Sequence, residues 1–193
     1  MTASEAPAVP GGRFALFADC LLLGCCTAIA ALPVVTAYPA LVATCAVLRE
    51  RVLDDRSVGP VRYLRTLGQV VRSGLSGLVV PPLLCTALVL DALTVVAGVP
   101  GSGLLAVFLA VAGSVAAVIG LRAAAAWRPG TRWPDVARAA AIAAVRDPGG
   151  SALLLLAAAA AVGIAFAVPV TVLLLAGPLA LAAVTVDVRT GAR

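Results

Sequence analysis

Six apolar stretches follow one another along the chain, and two longer polar segments interrupt them. A membrane-spanning helix needs about 20 mostly apolar residues, because it rises about 1.5 Å per residue through about 30 Å of hydrocarbon. The pattern therefore predicts an all-α, polytopic helical membrane protein with six transmembrane helices. The predicted spans are 14–32, 34–50, 73–97, 104–126, 151–168 and 171–186. They belong to one membrane domain over 13–188, between a disordered tail (1–12) and a C-terminal tail (189–193).

The second stretch is short for a full crossing. Only residues 34–48 are apolar, and Arg49-Glu50-Arg51 continues directly as good helix sequence. Arg49 and Arg51 could extend their charged ends to an interface while their stems stay in apolar surroundings. The alternative is a re-entrant or interfacial segment, which would leave five spans.

A proline-bounded turn joins the first two stretches. Pro33 ends the first stretch, and Pro39 follows Thr36 by three residues. Proline lacks a backbone N–H and frees a carbonyl in the preceding turn, so the Thr36 hydroxyl is expected to bond to backbone groups freed in this way. The segment predicts a tight helix hairpin near the outer face, with Tyr38 at that interface.

The first polar segment predicts a basic amphipathic helix. Ser57 is its expected cap, and Pro60 lies in its first turn. Four polar side chains recur at spacings of 3, 4 and 3, which places them in one stripe at 100° per residue. They are Arg62, Arg65, Gln69 and Arg72. Leu64, Leu67 and Val71 are predicted on the opposite face, and the stripe is interpreted as a surface for lipid phosphates or for a protein partner.

The second polar segment predicts an alanine-rich helix from Trp133 to Arg146, which Asp147 to Gly150 ends before the fifth span. Asp135 near the start of this helix is favourable for the helix dipole. Trp127 and Trp133 are typical of the aromatic belt at a membrane interface.

Composition and charge agree with a membrane location. The 193 residues are 62% apolar and 12% charged, with a mean hydropathy of +1.10, whereas soluble domains are about 45–50% apolar and about 25% charged. All fourteen basic residues are arginines, and six lie in 49–72 and five in 122–146. The positive-inside rule places both segments and the C-terminus in the cytoplasm. Six spans put the N-terminus inside as well, and five put it outside.

The net charge of +5 is therefore interpreted as a topology signal. Because the arginines cluster beside the predicted spans, we expect membrane lipids as partners and no nucleic acid.

The chain offers few groups for chemistry. It has no histidine, its five cysteines lie in apolar stretches without a C-x-x-C pair, and phosphate-loop, zinc-protease and serine-hydrolase motifs do not occur. The sequence predicts no enzyme, no metal and no cofactor. Asp19 and Arg122 both lie near the cytoplasmic ends of their spans and are candidates for an intramembrane ion pair, because charge inside a membrane is costly unless it is paired.

The turn segment resembles a known family signature. Residues 32–36 are L-P-V-V-T, and Pro39-Ala40 follows. This order is similar to the L-P-[IV]-[IV]-T turn and the G-P-A-like element of the YesL-like family of uncharacterised bacterial integral membrane proteins. Tyr38 stands where that family usually has glycine, and residues 61–69 are similar in placement to its aromatic and basic segment. The resemblance implies a non-enzymatic accessory or scaffold component of carbohydrate uptake, beside the subunits of a sugar importer.

The alternative function is a small solute transporter or channel that acts alone or as an oligomer. Such a protein should direct polar side chains to a cavity near the membrane midplane. The stretches offer little for this beyond Thr27, Ser114 and the cysteines, so the sequence favours the accessory role.

Overall fold

All regular elements of the described chain are helices. The computed structural model describes residues 10–54, 59–97, 102–167 and 172–191, and no strand occurs among them. Their order is α1 (Pro10–Ala30), a 3-10 turn (Val34–Thr36), α2 (Ala37–Asp54), α3 (Pro60–Arg72), α4 (Leu75–Val96), α5 (Ser102–Ala126), α6 (Trp133–Arg146), α7 (Pro148–Ala167) and α8 (Val172–Gly191). The all-α prediction is confirmed for these residues.

Prolines lie at the start of several helices. Pro60 opens α3, Pro134 is the second residue of α6, and Pro148 opens α7. The first turn of a helix tolerates proline because its N–H groups have no partner within the helix. The cap of α3 is Gly59 rather than the predicted Ser57, which lies outside the described residues.

Both terminal helices extend into the predicted tails. α1 begins at Pro10, three residues inside the stretch predicted as disordered, and α8 continues to Gly191. Apolar periodicity marks where a helix is buried, not where it ends, so helix boundaries are its weakest prediction.

The proline-bounded turn joins α1 to α2 through the 3-10 turn Val34–Thr36. The Thr36 hydroxyl donates to the backbone carbonyls of Ala30 and Pro33, and the carbonyl of Ala30 lies at the end of α1. Pro39 is buried in the first turn of α2. The hydroxyl therefore satisfies carbonyls that the helix end leaves without an N–H partner.

α2 is enclosed by its neighbours. It packs against α1, α3, α5 and α8, and its side chains from Val42 to Leu48 are buried except for Ala46. Several of these side chains are small, which lets helix backbones approach one another closely.

Close packing also joins α1 to α8. Gly177 of α8 faces the backbone of Cys20 in α1, and a Cβ placed on this glycine would overlap the Cys20 carbonyl oxygen. Because that oxygen belongs to the backbone, rotation of a side chain cannot relieve the overlap. Glycine at this position is therefore required by the distance between the two helices.

Large apolar side chains are exposed along α4, along α7 and over the first two thirds of α5. The exposed fraction is 68% for Leu83, 83% for Leu104 and 68% for Leu156. Soluble monomers rarely expose contiguous apolar patches larger than a few hundred Å². Among the described residues, no other part of the chain covers these apolar faces.

Length and apolar composition together identify one helix in the described chain that is able to cross a membrane, Gly103–Ala126 of α5. A second candidate arises only if α6 and α7 are counted as one span through their 106° bend. Shorter apolar stretches cover Ala18–Ala30 and Val79–Thr94. Six crossings are therefore not confirmed and stay a prediction.

Candidate functional site

Four ion pairs connect the helices near the C-terminal ends of α2, α5 and α8. We call them the ion-pair network. Its members are Arg49–Asp187, Arg51–Asp19, Arg62–Glu50 and Arg122–Asp147. The network contains most of the charged side chains that the sequence places next to apolar stretches.

Three consecutive residues of α2 contact three different helices. Arg49 binds Asp187 of α8, Glu50 binds Arg62 of α3, and Arg51 binds Asp19 of α1. Successive side chains on a helix point about 100° apart, so a triplet of charged residues can serve three neighbours at once. The charges in this triplet fix the rotation of α2 about its own axis.

Arg49 makes two bonds across the interior. Its Nη1 donates to Asp187 Oδ2 at 2.6 Å and to the backbone carbonyl of Ala125 at 2.9 Å. The Arg49 side chain is only 13% exposed. It therefore joins the ends of α2, α5 and α8 through one guanidinium group.

The predicted pair of Asp19 with Arg122 is wrong. Asp19 Oδ2 accepts a hydrogen bond from Arg51 Nε at 2.9 Å, and Arg122 binds Asp147 instead. The prediction treated Arg49 and Arg51 as interfacial side chains and so overlooked them as partners. The sequence signal that could have identified Arg51 as the partner of Asp19 is the charged run Arg49-Glu50-Arg51 at the end of α2.

Arg122 is the most enclosed cation of the network, with 3% of its surface exposed. Its Nη2 donates to the Asp147 carbonyl at 3.0 Å, to Asp147 Oδ2 at 3.2 Å and to Ser151 Oγ at 3.2 Å. Asp147 in turn accepts from the Gly150 N–H at 3.1 Å and so caps α7. One buried arginine thus holds the junction between α6 and α7 against α5.

The predicted basic stripe is divided by the ion-pair network. Arg62 is half-buried against Glu50, whereas Arg65, Gln69 and Arg72 are exposed. The stripe therefore retains two arginines and one glutamine on the surface.

The side of α3 away from the basic stripe contains both buried and exposed apolar side chains. Tyr63 and Val70 are buried with 1% and 2% exposure, whereas Leu64 is 63% and Val71 37% exposed. Leu67 is half-buried against the core, as predicted. α3 thus has a buried face, a basic face and a third face that is apolar and exposed, which a two-sided pattern does not anticipate.

Three hydroxyl groups meet in the core. The Oγ1 atoms of Thr27 and Thr44 hydrogen-bond to each other, so one of the two hydroxyl groups donates to the other. Each Oγ1 also lies within hydrogen-bonding distance of the carbonyl oxygen four residues earlier in its own helix. The Tyr63 hydroxyl donates to the Ala40 carbonyl at 3.4 Å. Burial raises the pKa of Tyr63 above its ordinary value, while hydrogen bonding to the two threonines opposes this shift. The phenol stays protonated and able to donate.

Three aromatic rings form a second cluster. Trp127 and Trp133 stack with centroids 6.3 Å apart, and the Tyr38 ring lies 5.9 Å from that of Trp133. Trp133 Nε1 donates to Ser73 Oγ at 2.9 Å. Both tryptophans are buried within the chain, and their place in an interfacial belt stays a prediction. Tyr38 and Trp133 lie at one level of the molecule rather than at opposite faces of a membrane.

The arrangement of these side chains holds helices together. Within the described residues, no three cysteine or acidic side chains form a group that could hold a metal ion. The charged groups bind one another, and the hydroxyl groups bind backbone carbonyls. Comparison of the chain with protein-family models, with curated proteins and with solved structures gives no match. The YesL-like resemblance thus rests on the turn segment alone.

Proposed function

We propose that the chain is a multi-pass protein of the bacterial cell membrane with a non-enzymatic scaffold or accessory role. The observation that carries this proposal is the contrast between its two regions. The apolar side chains of α4, α5 and α7 are exposed, while charged side chains pair with one another near the helix ends. Lipid would cover the first region, and the pairs lower the cost of charge in the second.

The burial of α5 supports lipid as its surroundings. In its most apolar stretch only 11% of the residues are buried. A core helix of a soluble protein has a similar composition but is mostly buried, because apolar exposure to water is costly. An apolar helix this exposed is stable where the medium itself is apolar.

The contact between Tyr38 and Trp133 favours five spans over six. Trp133 opens the helix of the second arginine-rich segment, which the positive-inside rule puts on the cytoplasmic side. The α1–α2 turn carries Tyr38 and so lies near that side, not about 30 Å away across the hydrocarbon. In this proposal α1, α4, α5, α7 and α8 cross the membrane, α2 does not, and the N-terminus lies outside.

Tags at the two ends of the chain test this topology. With five spans, an impermeant protease added to intact spheroplasts should remove an N-terminal tag and leave a C-terminal tag intact. Permeabilised cells, in which both tags should be cleaved, provide the control.

Protection of both tags in intact spheroplasts would instead support six spans. Release of the chain from membranes by alkaline carbonate would contradict a membrane-spanning protein of either topology.

The core hydroxyl groups favour a scaffold over a transporter. Thr27 and Ser114 are the hydroxyl side chains that the sequence offers for a midplane cavity, but Thr27 is bonded to Thr44 and lies against the Leu23 carbonyl, and Ser114 donates to the Ala110 carbonyl. Groups bonded in this way are not free to replace the hydration shell of a solute. Solute uptake by liposomes containing this chain alone would favour the transporter.

The accessory role proposed is in carbohydrate uptake, and the resemblance of the turn segment supports it. Purification of the tagged chain from native membranes in mild detergent should recover subunits of a sugar importer. If Arg65 and Arg72 form the docking surface, R65Q/R72Q should lose these subunits, whereas R128Q/R138Q, which removes the same charge, should keep them. Purification without any importer subunit would contradict the proposal.

A further inference from the structure

A groove of about 390 Å³ lies where the ends of α6 and α8 meet the start of α7. Arg146 ends α6 and Arg189 lies in the last turn of α8, and both line this groove. Leu153 and Val186 form apolar parts of its wall. The groove is thus basic in one part and apolar in another.

The charges around the groove do not cancel. Asp147 is the acidic side chain of its lining, and its carboxylate is bound by the buried Arg122 and caps the Gly150 N–H. Arg146 and Arg189 are exposed and have no acidic partner among the described residues. The groove therefore has two positive charges that nothing in the described chain neutralises. The free N–H groups at the start of α7 would also attract an anion. They add little to the positive charge of the groove, because the Asp147 side chain already accepts a hydrogen bond there.

We infer that this groove binds the phosphate group of an anionic phospholipid. Two arginines from different helices suit a phosphate, which accepts several charge-assisted hydrogen bonds. Basic pockets between membrane helices on the cytoplasmic side bind anionic headgroups in this way. Leu153, which is 53% exposed, lies on α7 beyond the basic part and suits the start of an acyl chain. The assignment rests on the proposed membrane location.

Native mass spectrometry of the full chain tests the site. The chain is exchanged into micelles with equal amounts of phosphatidylglycerol and phosphatidylcholine, and the two bound lipids are counted. R146Q and R189Q should each lower the preference for phosphatidylglycerol about fivefold, and the double variant about thirtyfold. The matched control R128Q/R138Q removes two exposed arginines outside the groove and should leave the preference unchanged.

Two results would overturn the inference. An equal loss of preference in R128Q/R138Q would mean that charge anywhere on the surface is sufficient. Saturable binding of inorganic phosphate that R146Q/R189Q abolishes, without any lipid preference, would assign the groove to a soluble phosphate instead. Failure of the membrane proposal is distinguishable, because the chain would then leave membranes in alkaline carbonate whatever lipid it binds.

Discussion

Replacing Arg122 with methionine is expected to destabilise the protein more than any other single charge removal in the ion-pair network. The side chain is 3% exposed and makes three hydrogen bonds to Asp147 and Ser151. Removing one partner of a buried pair costs about 3–5 kcal/mol, because the other charge stays behind without compensation. Reversible unfolding of the purified chain in mixed micelles measures this loss.

A double-mutant cycle separates the ion pair from the loss of packing. Asparagine at position 147 keeps an acceptor for the Gly150 N–H but removes the charge. R122M/D147N should therefore be more stable than R122M, because the carboxylate charge that loses its guanidinium partner in R122M is removed as well. R138M, an exposed arginine on α6, is the control and should change stability by less than about 0.5 kcal/mol. The importance of the buried pair would be refuted if R122M and R138M had equal stabilities.

The second large effect is expected at Gly177. Alanine there would place a methyl group against the backbone carbonyl of Cys20, so α1 and α8 would have to separate. Overpacking of this kind costs about 1–3 kcal/mol. The same unfolding measurement applies, and a cross-link between the two helices would report the separation directly.

Gly113 provides the matched control because it lies within α5 with no atom within 4 Å of its Cβ position. Alanine is the better helix former, so G113A should be neutral or should stabilise the chain by about 0.5–1 kcal/mol. If G177A behaves like G113A, then α1 and α8 do not pack as closely as the structure indicates.

The sequence predicts the positions of the helices better than it predicts which charged side chains pair with one another. The predicted 104–126 and 133–146 correspond to α5 (Ser102–Ala126) and α6 (Trp133–Arg146). Apolar runs and prolines act locally, and therefore local residues suffice to place a helix.

Ion-pair partners depend instead on which helices pack together. Asp19 and Arg51 are separated by 32 positions, and Arg49 and Asp187 by 138. No local pattern selects Arg51 over Arg122 as the partner of Asp19. Packing decides this, since it brings the end of α2 beside α1 and fills the space between them with small side chains.

The aromatic cluster also depends on helix packing that the sequence does not reveal. Tyr38 and Trp133 are each typical of an interface when considered alone, and the sequence placed them on opposite sides. Their ring contact depends on two hydrogen bonds between α2 and the end of α5. The Tyr38 hydroxyl donates to the Gly120 carbonyl, and Arg49 donates to the Ala125 carbonyl. These two carbonyls are only five residues apart, so both ends of α2 stay close to one end of α5.

The pairing of Arg49 with Asp187 sets an order of events during biosynthesis. The two residues are 138 positions apart, and a ribosome adds about 5–20 residues per second. Arg49 is therefore made roughly 7–28 seconds before the carboxylate that neutralises it. During this interval the nascent chain carries an uncompensated guanidinium next to apolar helices. The charge of Arg49 in α2 is therefore balanced only after Asp187 in α8 has been made.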